Sequence, residues 1–252
     1  MWTDAHAHLY DCDGPGLAAI VAHAREAGVD RILNTGTSID TSRKVLRQSS
    51  EHAGLSAAVG VSPLDAETLP DAWQTSLESM LSDPVVVAMG ETGIDSTNPT
   101  YPDIASQIGL FEEQLGIAIK HTLPVIIHSR GAEIKACEMC CAIGVKKAMF
   151  HCFTGDITAL RKILDSGYFV SFSGIITFKS SPLVECVRHA PLSQMLIETD
   201  SPYLAPVPHR GKTNEPAWVG LVGNKVAEIK KINAADVAEA LRENFITLFG
   251  LR

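Results

Sequence analysis

Short runs of apolar and β-branched residues alternate with longer stretches of helical spacing along the whole chain. The strand-like runs are Trp2–His6, Arg31–Thr35, Leu55–Val61, Val85–Glu91, Pro124–His128, Ala148–Phe153, Tyr168–Ser173 and Met195–Thr199. Helical spacing covers Gly16–Ala27, Ser42–Ala53, Ile104–His121, Gly131–Ile143 and Ile157–Ser166, and two further helices, Pro216–Lys230 and Ala234–Phe249, follow the last run. Several of these stretches stop at a glycine (Gly28, Gly144, Gly167), which suits the left-handed position after a helix. Strand and helix in regular alternation call for a parallel sheet. Eight strands in 252 residues fit a closed α/β TIM barrel, (β/α)8, better than an open sheet. No linker, low-complexity tract or repeat divides the chain, so residues 1–252 read as a single barrel domain with extra C-terminal helices.

The polar residues fall where such a barrel keeps its chemistry. The first strand runs into Asp4-Ala5-His6-Ala7-His8, and alternation turns His6 and His8 to the same side. Apolar runs then finish on Glu91, on His128, on His151 and, through Glu198-Thr199, on Asp200. In a barrel these C-terminal strand ends ring one face, the face that carries active sites. A single histidine at a strand end is more often a hydrogen-bonded core residue, and a single carboxylate more often a helix cap. Four histidines at three strand ends, with Glu91 and Asp200 beside them, predict a metal site instead. Imidazole with carboxylate suits Zn²⁺, Mn²⁺ or Fe²⁺, and less readily Mg²⁺ or Ca²⁺. Six ligands exceed what one tetrahedral ion takes and suffice for two ions. The natural partition puts His6, His8 and Asp200 on one ion and His128 and His151 on the other, with Glu91 bridging. His23, His52, His121 and His189 lie in or at the end of helical stretches and read as surface or packing residues, while His209 lies in a loop beside Arg210 and is open to either reading.

Charge and cysteine content narrow the partners. The net charge is −8, from 21 Lys plus Arg against 29 Asp plus Glu, which excludes bulk charge-driven coating of nucleic acid or of an anionic membrane. A nucleic acid held at a local cationic site stays open. No apolar run reaches the roughly 18–20 residues that span a bilayer, and no signal peptide is visible, so a cytoplasmic setting is expected, with Cys12, Cys137, Cys140, Cys141, Cys152 and Cys186 reduced. Cys137, Cys140 and Cys141 would share a helix face without a fourth ligand, a packing pattern. Neither a Gly-rich phosphate loop nor Gly-x-Ser-x-Gly occurs, and nothing marks an obligate protein partner.

In order along the chain stand Asp4-Ala5-His6-Ala7-His8-Leu9, Gly90-Glu91-Thr92-Gly93-Ile94-Asp95, Pro124-Val125-Ile126-Ile127-His128-Ser129-Arg130, His151-Cys152-Phe153-Thr154-Gly155, Glu198-Thr199-Asp200-Ser201-Pro202-Tyr203-Leu204 and Arg210-Gly211-Lys212-Thr213-Asn214-Glu215-Pro216. Together they resemble the TatD family of metal-dependent deoxyribonucleases, over nearly the whole chain. The resemblance implies a (β/α)8 barrel, two divalent cations and hydrolysis of phosphodiester bonds in DNA, often from 3′ ends. It implies the same six ligands: His6, His8, Glu91, His128, His151 and Asp200. Three places depart from the family pattern. Ser62 stands where a histidine is usual in Gly-x-His-Pro, Ser96-Thr97-Asn98-Pro99 stands where aromatic residues are usual, and Thr213 stands where a second arginine is usual.

On this resemblance Asp200 orients or deprotonates the attacking water, Glu91 takes part as the bridge, and Arg130, Arg210 and Lys212, with Lys179 as a fourth candidate, meet substrate phosphate. Glu198 shares the face parity of Asp200 and reads as a buried hydrogen-bond partner. An alternative keeps the enzyme and changes the substrate to a small amide, lactone or phosphoester, because fold and metal site alone do not select a chemistry. A non-catalytic metal-binding scaffold fits a complete ligand set less well.

Overall fold

The computed structural model describes residues 1–11 and 16–251, which leaves Cys12 outside the described residues. Eight strands form one parallel sheet in sequential order: β1 (Trp2–Ala7), β2 (Val29–Thr35), β3 (Leu55–Val59), β4 (Val86–Asp95), β5 (Val125–Arg130), β6 (Ala148–Phe150), β7 (Phe169–Phe172) and β8 (Met195–Ile197). Helices α1 (Leu17–Glu26), α2 (Ile39–Glu51), α3 (Trp73–Met80), α4 (Ile104–Lys120), α5 (Glu133–Ile143), α6 (Ile157–Asp165) and α7 (Val184–His189) occupy the seven crossovers. After β8 the chain adds α8 (Val219–Lys230) and α9 (Ala234–Phe249). This is the expected (β/α)8 barrel.

The ring is closed by a bridge between Ala7 and Ser201 and by two backbone hydrogen bonds, Asp200 N–H to His6 C=O (3.0 Å) and His8 N–H to Ser201 C=O (2.8 Å). β8 therefore ends at Ile197, two residues before the run that sequence suggests, because the following residues turn aside to join β1. β6 likewise ends at Phe150 rather than Phe153. β4 does the opposite. It runs four residues past Glu91, through Gly93, whose φ of +150° no ordinary side chain favours. A Cβ there would lie 1.9 Å from the carbonyl oxygen of His128, so glycine is what lets β4 and β5 close up beside the site.

Buried apolar residues form two layers. The larger lies between the outer face of the strands and the helices, and includes Phe111, Phe150, Phe172 and Trp73. Its fit is close: α8 lies against β1 with Gly223 under Trp2, where a Cβ would come within 2.2 Å of the indole. The smaller lines the inside of the barrel with Ala5, Leu33, Ala58, Ala88, Ile126, Met149 and Leu196, sealed by Phe245, Leu248 and Phe249 of α9. The pairing of β1 with β2 shifts register between Asp4 and Ala7. Such a shift re-aims side chains, and here Ala5 joins the inner apolar layer while His6 turns toward the polar end. Among the described residues no helix is long and apolar enough to cross a membrane.

Candidate metal centre

Strand alternation carries the inner face from apolar to polar within two residues: Ile126 precedes His128, Met149 precedes His151, and Leu196 precedes Glu198. The six side chains expected to hold metal all converge there. The Glu91 carboxylate lies in the middle. Its Oε2 is 3.2 Å from His6 Nε2 and 3.5 Å from His8 Nε2, and its Oε1 is 2.8 Å from His128 Nδ1 and 3.2 Å from His151 Nε2. Asp200 Oδ1 is 3.4 Å from His8 Nε2 and 3.8 Å from His6 Nε2. Three overlapping triads result, each with its ligand atoms within 4.8 Å of one another: His6–His8–Glu91, Glu91–His128–His151 and His6–His151–Asp200.

The donor chemistry fits divalent cations. Two imidazole nitrogens face each other at 3.1 Å (His6 and His8) and two more at 3.3 Å (His128 and His151), around a carboxylate. Lone pairs crowded in this way need a positive centre between them. The far side of three rings is tied. His8 Nδ1–H donates to the Thr35 carbonyl (2.9 Å), which turns Nε2 toward the cluster. His128 Nε2 is 3.2 Å from Asp95 Oδ2, and His151 Nδ1 is 3.4 Å from Glu198 Oε1, so each ring sits between the cluster and an outer carboxylate. Among the described residues both Glu198 oxygens and His6 Nδ1 lack a hydrogen-bond partner, although all are buried.

Electrostatics follow from this packing. Burial would raise the Glu91 carboxyl, but the imidazoles of His151, His128 and His6 outweigh it and hold it well below the usual carboxylate range. Burial lowers His6, reinforced by the neighbouring His151. Burial would lower His151 too, yet Glu91 and Glu198 push it up to about 10. Glu91 thus stays ionised, the form in which both oxygens can bind cations.

Asp200 is fixed by the seam that closes the barrel. Its backbone takes a left-handed conformation, φ 55°, and the preceding Thr199 is pinned to Asp4: N–H to Oδ1 at 2.9 Å and Oγ1–H to Oδ2 at 2.5 Å. Asn214 Nδ2–H donates to the Thr199 carbonyl (2.8 Å) and to the Tyr203 carbonyl (2.7 Å). Sequence reasoning singled out the cations of this loop and passed over Asn214, the buried residue in it that touches the site. Asp95 was also missed as a contributor, though its parity with Glu91 along β4 (i and i+4) is the signal that places both on one face.

A cavity of about 400 Å³ opens above the cluster, lined by Tyr10, Thr37, Ser62, Leu64, Tyr101, Arg130 and Tyr203 together with His8, Glu91, His128, His151 and Asp200. Of the cationic candidates Arg130 lines it, its Nη1–H donating to the Ser129 carbonyl at 2.7 Å. Arg210, Lys212 and Lys179 are exposed outside it, and the Arg210 guanidinium lies 4.2 Å over the Phe178 ring. His209 stacks on Trp218 at 4.0 Å, and His23 pairs with Glu215 at 2.8 Å, both away from the cluster.

Known proteins match this chain along most or all of its length. The family model described as TatD-related DNase matches residues 3–250. The metal-dependent hydrolase YabD of Bacillus subtilis is 33% identical, over 99% of this chain and 99% of its own. A protein of Cronobacter turicensis named 3′-5′ ssDNA/RNA exonuclease TatD is 33% identical, over 91% of this chain and 90% of its own. The crystal structure of YjjV, a TatD homologue from Escherichia coli, superposes with a TM-score of 0.92 at 28% identity, covering 100% of this chain and 98% of that one. With the barrel, the clustered imidazoles and carboxylates and these matches in agreement, the chain belongs to the TatD family of metal-dependent hydrolases.

Proposed function

We propose that this chain hydrolyses phosphodiester bonds in DNA, acting on single strands or 3′ ends, with two divalent cations held by His6, His8, Glu91, His128, His151 and Asp200. The observation that carries the reading is the placement of Glu91, each of whose oxygens meets its own pair of imidazoles. A carboxylate so placed would serve both cation sites, with His6, His8 and Asp200 holding one ion and His128 and His151 the other. When bound, the two ions lower the pKa of water and offset charge on the phosphoryl oxygens. The Asp200 carboxylate, set at the mouth of the cluster by Asp4 and Thr199, takes the proton from the attacking water. Arg130 sets its guanidinium against a substrate phosphate. Asp95 and Glu198 hold the His128 and His151 rings in register. The name of the Cronobacter relative supports nucleic acid as the substrate class. The free thiols at Cys137, Cys140, Cys141, Cys152 and Cys186 agree with a reduced, cytoplasmic setting.

The test is metal analysis joined to kinetics. Protein loaded at saturation binds two divalent ions per chain and cleaves oligonucleotides, and Asp200→Asn lowers turnover by about 10²–10⁴-fold. Absence of specifically bound metal, or near-normal turnover in a metal-loaded Asp200→Asn protein, overturns the assignment. A second reading, hydrolysis of a small amide, lactone or phosphoester, is favoured by the modest cavity and by the distance of Arg210 and Lys212 from it. A panel of phosphodiester, phosphomonoester and amide substrates separates the two.

A further inference from the structure

Two side chains at the mouth of the cavity have no part in the cluster and are nevertheless held firmly. Both hang from α4 through buried glutamines two helical turns apart. Gln114 brackets Val61, accepting from its N–H (2.8 Å) and donating to its carbonyl (2.8 Å), and also donates to Thr92 Oγ1 (2.6 Å). The next residue, Ser62, ties its N–H to the Thr37 carbonyl (2.8 Å), and the turn beyond it carries Leu64. Gln107 accepts from Asp95 N–H (2.8 Å) and donates to the Asp95 and Pro102 carbonyls (3.1 and 2.7 Å), fixing both ends of the segment that carries Tyr101.

Inside that segment Asp95 Oδ1 accepts from Thr97 N–H and Oγ1–H, both at 2.8 Å, and from Asn98 N–H at 3.1 Å. Asn98 Oδ1 then accepts from Thr100 N–H (3.0 Å) and Oγ1–H (2.8 Å), and Tyr101 N–H closes onto the Asn98 carbonyl (3.2 Å). The tract Ser96-Thr97-Asn98-Pro99, which lacks aromatic residues, is thus a rigid arm that presents an aromatic ring a few positions later. The Tyr101 ring lies nearly parallel to that of His128, 14° between planes and 6.2 Å between centroids, and lines the cavity. Leu64 lines the same cavity and is 47% exposed, an apolar side chain kept in water beside a polar cluster.

We propose that Tyr101 and Leu64 form a nucleobase subsite in which the base flanking the scissile phosphate stacks on the Tyr101 ring, with Leu64 adding apolar contact from the wall of the same cavity. The proposal rests on the nucleic-acid reading of the cluster. An aromatic platform accepts any base by its π-face, and only a base that is not paired in a duplex can reach it. Because both walls are anchored before substrate arrives, little ordering is left for binding. The subsite therefore selects unpaired ends with little regard to sequence.

The test compares a single-stranded oligonucleotide with the same strand made abasic at its two 3′-terminal positions. Tyr101→Leu lowers kcat/KM on the intact strand by about 10-fold, and Tyr101→Phe stays within about 2-fold, the ring being what stacks. On the abasic strand, already a poorer substrate, Tyr101→Leu adds no further loss. Leu64→Ser, an exposed change, gives a smaller loss with the same dependence on the base. As a readout without turnover, 2-aminopurine at the 3′ end is quenched on binding to Asp200→Asn protein, and Tyr101→Leu in that background removes the quenching. Equal losses on intact and abasic strands, or a fall in metal content in Tyr101→Leu, overturn the subsite and leave Tyr101 as a support for His128. Metal-loaded wild-type protein that cleaves a small phosphodiester and no oligonucleotide overturns the nucleic-acid reading, and the subsite with it.

Discussion

Near the N-terminal end of the barrel Ile126, Met149 and Leu196 point inward and are buried against Phe245, Leu248 and Phe249 of α9. Two residues further on, at or just past the ends of the same three strands, the inward positions are His128, His151 and Glu198; His151 and Glu198 are buried and His128 is partly exposed, and all three are surrounded by polar groups. The lower layer is complete in itself, since apolar contacts need nothing from outside. Among the described residues the upper layer gives both Glu198 oxygens and His6 Nδ1 no hydrogen-bond partner although they are buried, a cost in stability. One strand therefore serves two purposes, packing at its start and chemistry at its end, and the two should respond separately to mutation.

The largest effect that would break this division is expected in the lower layer. Phe245, fully buried, should cost about 3–5 kcal/mol of folding stability when changed to alanine, measured by urea unfolding. The folded fraction should keep its metal content and turnover, and a loss of either at temperatures where the variant is folded would show that the layers are coupled. In the upper layer Asp95→Asn retains the shape but has one oxygen, which Thr97 and Asn98 hold, so an amide N–H replaces the carboxylate oxygen facing His128; it should weaken one of the two proposed metal sites by about 10–100-fold in a chelator-competition titration. Its unfolding midpoint without metal should move little. An equal weakening of both sites would mean that the cluster binds as one unit. The smallest effect concerns the rim. Ser62, 7% exposed, lines the cavity and carries no charge, so Ser62→His should supply a charge-assisted contact to phosphate and raise kcat/KM on an oligonucleotide by about 10-fold, with metal content unchanged. Equal or lower activity at matched metal occupancy would shift weight to a small substrate.

How far these layers were legible in the sequence depends on the distance over which each is specified. Strand ends are local features, and they were enough to bring His6, His8, Glu91, His128, His151 and Asp200 to one end of the barrel, although a register shift in β1 and the left-handed turn at Asp200 also set how they are aimed. The short helix α3 escaped notice, and α7 was marked only by His189, because eight and six residues carry too little periodicity. The continuation of β4 past Glu91 was hidden by Gly90 and Gly93, which read locally as a turn and are in fact accommodated by the backbone of β5. Of the groups beside the rings, Glu198 was legible from its parity with Asp200, while those set by distant contacts were hidden. Asp95 meets His128 across 33 residues, and Gln114 meets Val61 across 53, contacts that only the folded chain brings about. The loop after the last strand was read for its cations, Arg210 and Lys212, and the fold adds a second use of it, Asn214 bracing Thr199, which charge alone does not signal.

The seam at Thr199 and Asp4 spans 195 residues of chain. A polypeptide still being synthesised has His6 and His8 long before it has Asp200. Until β8 is made β1 has no closing neighbour, and the backbone of His6 and His8 faces an open edge. Any copy that stops short of the last strand carries the first two residues of the cluster without the carboxylate that stands beside them in the closed barrel.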